Sequence, residues 1–186
     1  MVLDVREEKL ARALSAQPRR DILRLLENKQ LTVSKIAEDA GLSLSLASRH
    51  LTLLADLGLI LTQKQHPHKF YSLRSKTIPA LLQDYDTIHR HPSLKISKRG
   101  EENLARVLNA TQRRMVLRLL ANNELTVGEL ASQTKMSMSL ASRHLKLAHD
   151  LGFLQVRKVA PQKYYSLALE PLKQLIINYD LVLKEL

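Results

Sequence analysis

The chain repeats itself. Leu10 pairs with Leu104 at an offset of 94 residues, and the offset runs without a gap to the pair Asp86 and Asp180. About half of the paired positions are identical, far above chance over such a length. The most alike stretch is Ser43-Leu44-Ser45-Leu46-Ala47-Ser48-Arg49-His50-Leu51, which returns at 137–145 with only Leu44 changed, to Met138. A chain of 186 residues built this way folds as two copies of one small domain, not around one large core. The expected division is a first domain over 1–90, a linker over 91–100 and a second domain over 101–186.

Within one copy the apolar spacing predicts a run of helices. Asp4 can cap the first, whose apolar face carries Leu10, Ala13 and Leu14. Gln17-Pro18 starts a second, lined by Ile22, Leu23, Leu25 and Leu26. The second copy reads the same way from Glu101 to Leu120, with Thr111 as the cap of its second helix. Thr32 caps a short third helix, and Thr126 with Glu129 forms a capping box at the matching place. A tight turn at Gly41-Leu42 leads to a fourth helix, capped by Ser43 and stopped by Gly58. Two helices joined by so short a turn form a helix-turn-helix.

After Gly58 the period changes from helical to alternating. The stretches 59–64 and 69–73, and in the second copy 153–158 and 163–167, predict strand pairs around turns at Pro67 and Pro161. A hairpin placed there is a wing. Each copy closes on a last helix, lined by Ile78, Leu81, Leu82, Tyr85 and Ile88, then by Leu172, Leu175, Ile176, Tyr179 and Leu183. The fold class expected is mainly α with small β-hairpin wings, as two tandem winged helix-turn-helix domains.

Charge points to a partner. Lys and Arg number 29 against 18 Asp and Glu, a formal charge of +11, which suits a polyanion: nucleic acid first, an anionic membrane second. No cysteine is present, so disulfides, thiolate metal sites and cysteine nucleophiles are excluded together. The opening residues hold no apolar core of signal-peptide length, and no stretch approaches a membrane span. The expectation is a cytoplasmic protein with no membrane partner. No Gly-rich phosphate loop or Ser-His-Asp arrangement suggests an enzyme.

The pattern resembles the ArsR-type winged-helix transcriptional regulators. The resemblance is carried by 18–26, by Thr32 to Ala37, by Leu42 to Leu51, by Leu57-Gly58-Leu59-Ile60 and by Tyr71-Ser72-Leu73. The second copy matches over 112–120, 125–131, 136–145 and 151–154. It implies double-stranded DNA as partner and dimerisation through the first and last helices. Family members usually carry one such domain; two in one chain imply an intrachain pseudo-dimer, with a homodimer of chains as the other arrangement. Many members sense metals through Cys on the third helix, where this chain has Thr32, Ser34, Thr126 and Gly128. Asp84, Asp86, His89 and His91 gather near the end of the first copy, but the second offers only Asn178 and Asp180. A paired metal site therefore fails by symmetry, and no metal or other cofactor is expected.

At about 100° per residue, Leu46, His50, Leu53 and Leu57 share one face of the fourth helix, flanked by Leu54, and read as its core face. His50 and His144 then read as core or hydrogen-bonded structural residues. The opposite side carries Ser45, Ser48, Arg49 and Thr52 with Leu44 at its edge, matched by Ser139, Ser142, Arg143, Lys146 and Met138. Short hydroxyls let a helix approach base edges, Arg bonds guanine bidentately, and Leu or Met meets a thymine methyl. The same serines also suit helix capping and solvated surface. In the wings, Lys64, His66, His68, Lys69 and Arg74, and Arg157, Lys158 and Lys163, are phosphate contacts or a solvated charged hairpin. Arg19, Arg20, Arg113 and Arg114 meet phosphate or make ion pairs within the domain. The function expected is a sequence-specific transcription regulator. A tandem winged-helix interaction scaffold and a non-specific architectural DNA-binding protein are the alternatives.

Overall fold

The computed structural model describes residues 5–91, 104, 107, 108 and 110–186. The cap at Asp4, the linker over 92–100 and the start of a helix at Glu101 lie outside them. The first copy runs α1 (Val5–Leu14), α2 (Gln17–Leu25), β1 (Leu31–Thr32), α3 (Val33–Asp39), α4 (Leu44–Asp56), β2 (Ile60–Gln65), β3 (His68–Leu73) and α5 (Thr77–His89). The second runs α6 (Thr111–Leu120), α7 (Val127–Thr134), α8 (Met138–Asp150), β4 (Leu154–Val159), β5 (Gln162–Leu167) and α9 (Glu170–Glu185). The architecture is mainly helical with two antiparallel wings, as the period change after Gly58 and Gly152 predicts. Among the described residues no helix is long and apolar enough to cross a membrane.

The helix starts follow local chemistry. Ser43 Oγ accepts the Leu46 amide at 3.2 Å, and Ser137 Oγ accepts that of Leu140 at 3.2 Å. Thr126 and Glu129 close a reciprocal capping box at the head of α7. Helix α2 starts at Gln17 with Pro18 in its first turn, as expected, but α6 differs: its N-cap is Ala110, which has no side-chain cap, so Thr111 is the first helical residue and not the cap. Between α3 and α4 the chain turns through Gly41 at φ 63°; the second copy puts Lys135 there at φ 56°. A β-carbon in that left-handed region costs roughly 1 kcal/mol, which glycine avoids.

Strand β1 escapes sequence reading. Two residues cannot show a period, yet Leu31 pairs with Tyr71 and Thr32 with Phe70, giving a sheet ordered β1-β3-β2. In the second copy the same pairing shrinks to one bridge, Leu125 with Tyr165.

The core face of α4 is turned from the one expected. Ala47, Leu51 and Leu54 are wholly buried, whereas Leu46 is 37% exposed and His50, Leu53 and Leu57 are only half-buried. Both stripes have helical spacing and both are apolar. The small Ala47 decides between them, because α3 packs against α4 and a methyl lets the two backbones approach. Ala141 repeats the arrangement, wholly buried on α8.

The chain divides into two compact units. One holds the residues up to Gln83 together with Asn178–Leu186; the other is Asp84–Ile177. In the first, the Tyr179 hydroxyl donates to the Glu7 carbonyl at 2.9 Å, and the Glu185 carboxylate accepts from Ser75 Oγ and from Thr77 Oγ1, the latter at 3.0 Å. The final turns of α9 therefore belong with the helices of the first copy.

Candidate nucleic-acid interface

The head of α4 presents one polar face. Ser45, Ser48, Arg49 and Thr52 are all exposed, and Leu44 stands out beside them at 55% exposure. On α8, Ser139, Ser142, Arg143 and Lys146 are exposed, with Met138 at 57%. The buried Ala47-Leu51-Leu54 stripe lies behind, so packing fixes which way these side chains point. Thr52 spends its hydroxyl proton on the Ser48 carbonyl at 3.0 Å and keeps only acceptor capacity outward. Lys146 offers a full positive charge at that position. Neither Arg49 nor Arg143 has an ion-pair or hydrogen-bond partner among the described residues, which leaves both guanidinium forks available.

The wings place their cations by register. Lys64 lies directly opposite Lys69, and Lys158 directly opposite Lys163. Like charges facing across a ladder destabilise it by tenths of a kcal/mol (roughly 0.2–1), so each hairpin carries a local strain that a polyanion would relieve. Lys69 Nζ also lies 5.2 Å from the Tyr71 ring centroid, and His68 meets Phe70 edge to face at 6.3 Å. Arg157 is held differently. It donates through Nη2 and Nε to Glu124 at 2.6 and 3.0 Å, and its guanidinium lies 4.9 Å from the Tyr164 centroid. The hydrogen bonds to Glu124 hold the Arg157 pKa above its ordinary value and tie the cation to a carboxylate, whereas the first copy has Gln30 and Gln63 at the two positions.

The arginines at the heads of α2 and α6 do something the sequence did not suggest. Arg20 is wholly buried and donates to the Leu14 carbonyl at 2.6 Å and to Gln17 Oε1. Arg114 is 3% exposed and donates to the Leu108 carbonyl and to Thr111 Oγ1, the latter at 3.0 Å. Arg19 donates to the carbonyls of Ala13 and Arg12 at 2.9 and 2.5 Å. In the first copy these are the open carbonyls at the end of α1, where positive charge also meets the negative end of the helix dipole. Arg20 and Arg114 are therefore structural, not phosphate contacts. A cation six residues beyond the last carbonyls of a helix was the available signal.

His144 is buried, with Nε2 3.2 Å from Gln112 Oε1, while His50 is half-buried. Burial first, then the neighbouring Arg113 and Arg143, push His144 below the usual histidine range; burial, Arg19 and Arg49 do the same to His50. Both shifts favour the neutral imidazole. Among the described residues no group of three His, Asp or Glu side chains is gathered closely enough to hold a metal ion.

A family model described as bacterial regulatory protein, arsR family, matches residues 17–62 and again 111–156. Over 85 residues the chain is 33% identical to a cadmium resistance transcriptional regulatory protein CadC homolog from Staphylococcus aureus, covering 44% of this chain and 70% of that relative. The chain belongs to the ArsR family. This ArsR-family chain is also 38% identical over 68 residues to the transcriptional activator HlyU of Vibrio cholerae, covering 36% of its own length and 63% of that protein. A solved structure of HlyU from Vibrio cholerae matches at 31% identity, with 42% of this chain and 85% of that one covered and a TM-score of 0.39. Each profile match runs from the head of the second helix into the first wing strand, so the family signature contains the buried arginine, both helix-turn-helix elements and the exposed Ser and Arg face.

Proposed function

We propose that the chain is a sequence-specific double-stranded-DNA-binding transcription regulator, reading a repeated half-site with α4 and α8. The observation that carries the reading is the same exposed Ser, Ser and Arg face at the heads of both helices, with the arginines unpaired among the described residues. Leu44, Ser45, Ser48, Arg49 and Thr52 meet one half-site; Met138, Ser139, Ser142, Arg143 and Lys146 meet the other. Lys64, His68, Lys69, Lys158 and Lys163 meet phosphates, whereas Arg157 is held by Glu124 and would have to leave that carboxylate to do so. The two copies act as an intrachain pseudo-dimer, a reading supported by the bonds from Tyr179 to Glu7 and from Ser75 and Thr77 to Glu185. The half-sites are bound unequally, because Thr52 is matched by Lys146 and Gln63 by Arg157.

Selection of duplex DNA from a random pool at near-physiological salt tests this. The expected product is an imperfect repeat whose half-site centres lie about one helical turn, roughly 34 Å, apart. Bound but unenriched DNA would mean architectural binding instead, and no recovery at all would mean a protein-interaction scaffold.

The wing makes a separate prediction. In Lys64→Gln with Lys158→Gln, the dependence of log affinity on log salt becomes shallower by about one unit for each phosphate that is no longer neutralised, while the preferred sequence stays the same. The same variant unfolds at slightly higher temperature, because each hairpin is relieved of a facing pair of like charges. A changed sequence preference would place these lysines at bases.

A further inference from the structure

The two copies share a groove that the DNA reading does not use, and the groove has opposite character in each. In the first copy it is a cavity of about 540 Å³ between the turn after α2 and the end of β3. In the second it is about 460 Å³, walled at the matching positions, with Leu26, Ser72 and Leu73 replaced by Leu120, Ser166 and Leu167. The backbone frame is thus a property of the fold. The charged lining is not. The first groove carries Lys29, Arg74 and Lys76 with a single carboxylate, Glu27. In the second those cations are Asn123, Ala168 and Glu170, and Glu124 adds a further carboxylate beside one lysine, Lys173.

We propose that the first groove binds a small polyanion carrying carboxylate or phosphate groups, and that the second does not. The volume lies within the usual range for small-ligand sites. Lys29, Arg74 and Lys76 have no carboxylate partner among the described residues, so a ligand would supply one without breaking existing ion pairs. The lining is polar as well as apolar. Ser75 lies in the lining, 8% exposed, and its hydroxyl already donates to a carboxylate, that of Glu185.

DNA phosphate is a poor occupant on geometry. Arg74 Nε lies 3.9 Å from where a β-carbon on Gly58 would sit, at the tail of α4. The 13 residues of α4 separate that point from Leu44 by about 20 Å, and the six residues of β3 separate Arg74 from the wing tip by a similar span. Strand β3 joins the groove to the wing, with Ser72 and Leu73 in the lining and Lys69 further along, so an occupied groove can alter how the wing is held. Occupancy itself does not depend on the DNA reading.

Calorimetric titration of the full chain with citrate and, separately, with inorganic pyrophosphate at fixed ionic strength tests the proposal and sorts carboxylate from phosphate preference. The expected result is saturable binding of one anion per chain by at least one probe. The triple variant Lys29→Gln, Arg74→Gln, Lys76→Gln should weaken it at least tenfold, and Lys173→Gln in the second groove should leave it unchanged. Should the triple variant fold poorly, backbone NMR of the unsubstituted chain decides. The amides of Asn28, Ser72 and Ser75 should move on adding the probe, while those of Asn122, Ser166 and Leu169 stay still. Binding of neither probe, two equivalent sites per chain, or equal binding by a folded triple variant overturns the assignment.

Discussion

Alanine at both Arg49 and Arg143 should abolish discrimination between the selected DNA site and one altered at a single guanine in each half, while leaving the fold intact. Each arginine sits on the exposed face of its helix with no partner among the described residues, so removing it breaks no internal bond. Unfolding temperature should hold. A bidentate arginine–guanine pair is worth about 1–3 kcal/mol of discrimination, roughly fivefold to 150-fold per half-site. Affinity for unrelated duplex should fall far less, because non-specific binding rests on the sum of many phosphate interactions and only two charges are removed. Binding curves for matched and mismatched duplexes at one salt concentration measure both effects. Arg49→Lys should recover the non-specific component and little of the discrimination, since an ammonium lacks the planar fork. Equal losses on matched and mismatched DNA would reduce both arginines to phosphate contacts and move base reading to the serines or to Leu44 and Met138.

What the sequence revealed follows from the kind of interaction involved. The caps at Ser43 and Ser137 and the stop at Gly58 depend on neighbours a few residues apart, and all stand where their residue types put them. The core stripe of α4 depends on a helix distant in sequence order. Two apolar stripes fitted the period, and only the close approach of α3 selects Ala47 over Leu46. Strand β1 is too short to have a period, and it exists because β3 returns beside it. The outward residues of α4 were nonetheless placed correctly as exposed, because a shift of one residue in the buried stripe still leaves Ser45, Ser48, Arg49 and Thr52 on the far side.

Charge was the least legible property, because a basic side chain looks alike in sequence whether it is outward, paired or buried. Arg157 reads as one more wing cation until Glu124, 33 positions away, is seen to hold it. That pair bears on the asymmetry between the halves. The first wing presents Lys64 and Lys69 with nothing comparable to Glu124 beside them, since residue 30 is Gln. A net charge of +11 therefore overstates what faces a partner, and the division of free cations between the copies matters more than the total.

Arg20→Ala should be the most destabilising of these changes. The side chain is wholly enclosed, so its loss opens a cavity and strips the Leu14 carbonyl of a donor at the end of α1. An orphaned buried acceptor costs about 1–3 kcal/mol, and the cavity adds to it, for a total of roughly 3–5 kcal/mol. Against a stability of about 5–15 kcal/mol, such a loss would lower the melting temperature of the first unit by roughly 12 °C or more. Arg114→Ala should act on the second unit in the same way through the Leu108 carbonyl, so calorimetry of the two variants would show which transition belongs to which unit. Arg20→Met separates the two contributions: it refills most of the volume but donates nothing, and should lie between Ala and the unsubstituted chain. DNA affinity measured well below the melting temperature should change little in any of the three, because each guanidinium is bonded inside its domain, to one backbone carbonyl and one side-chain oxygen, and is not turned to solvent. A variant that melts normally but binds DNA weakly would return Arg20 to the surface and undo its role as the tie between α2 and the end of α1.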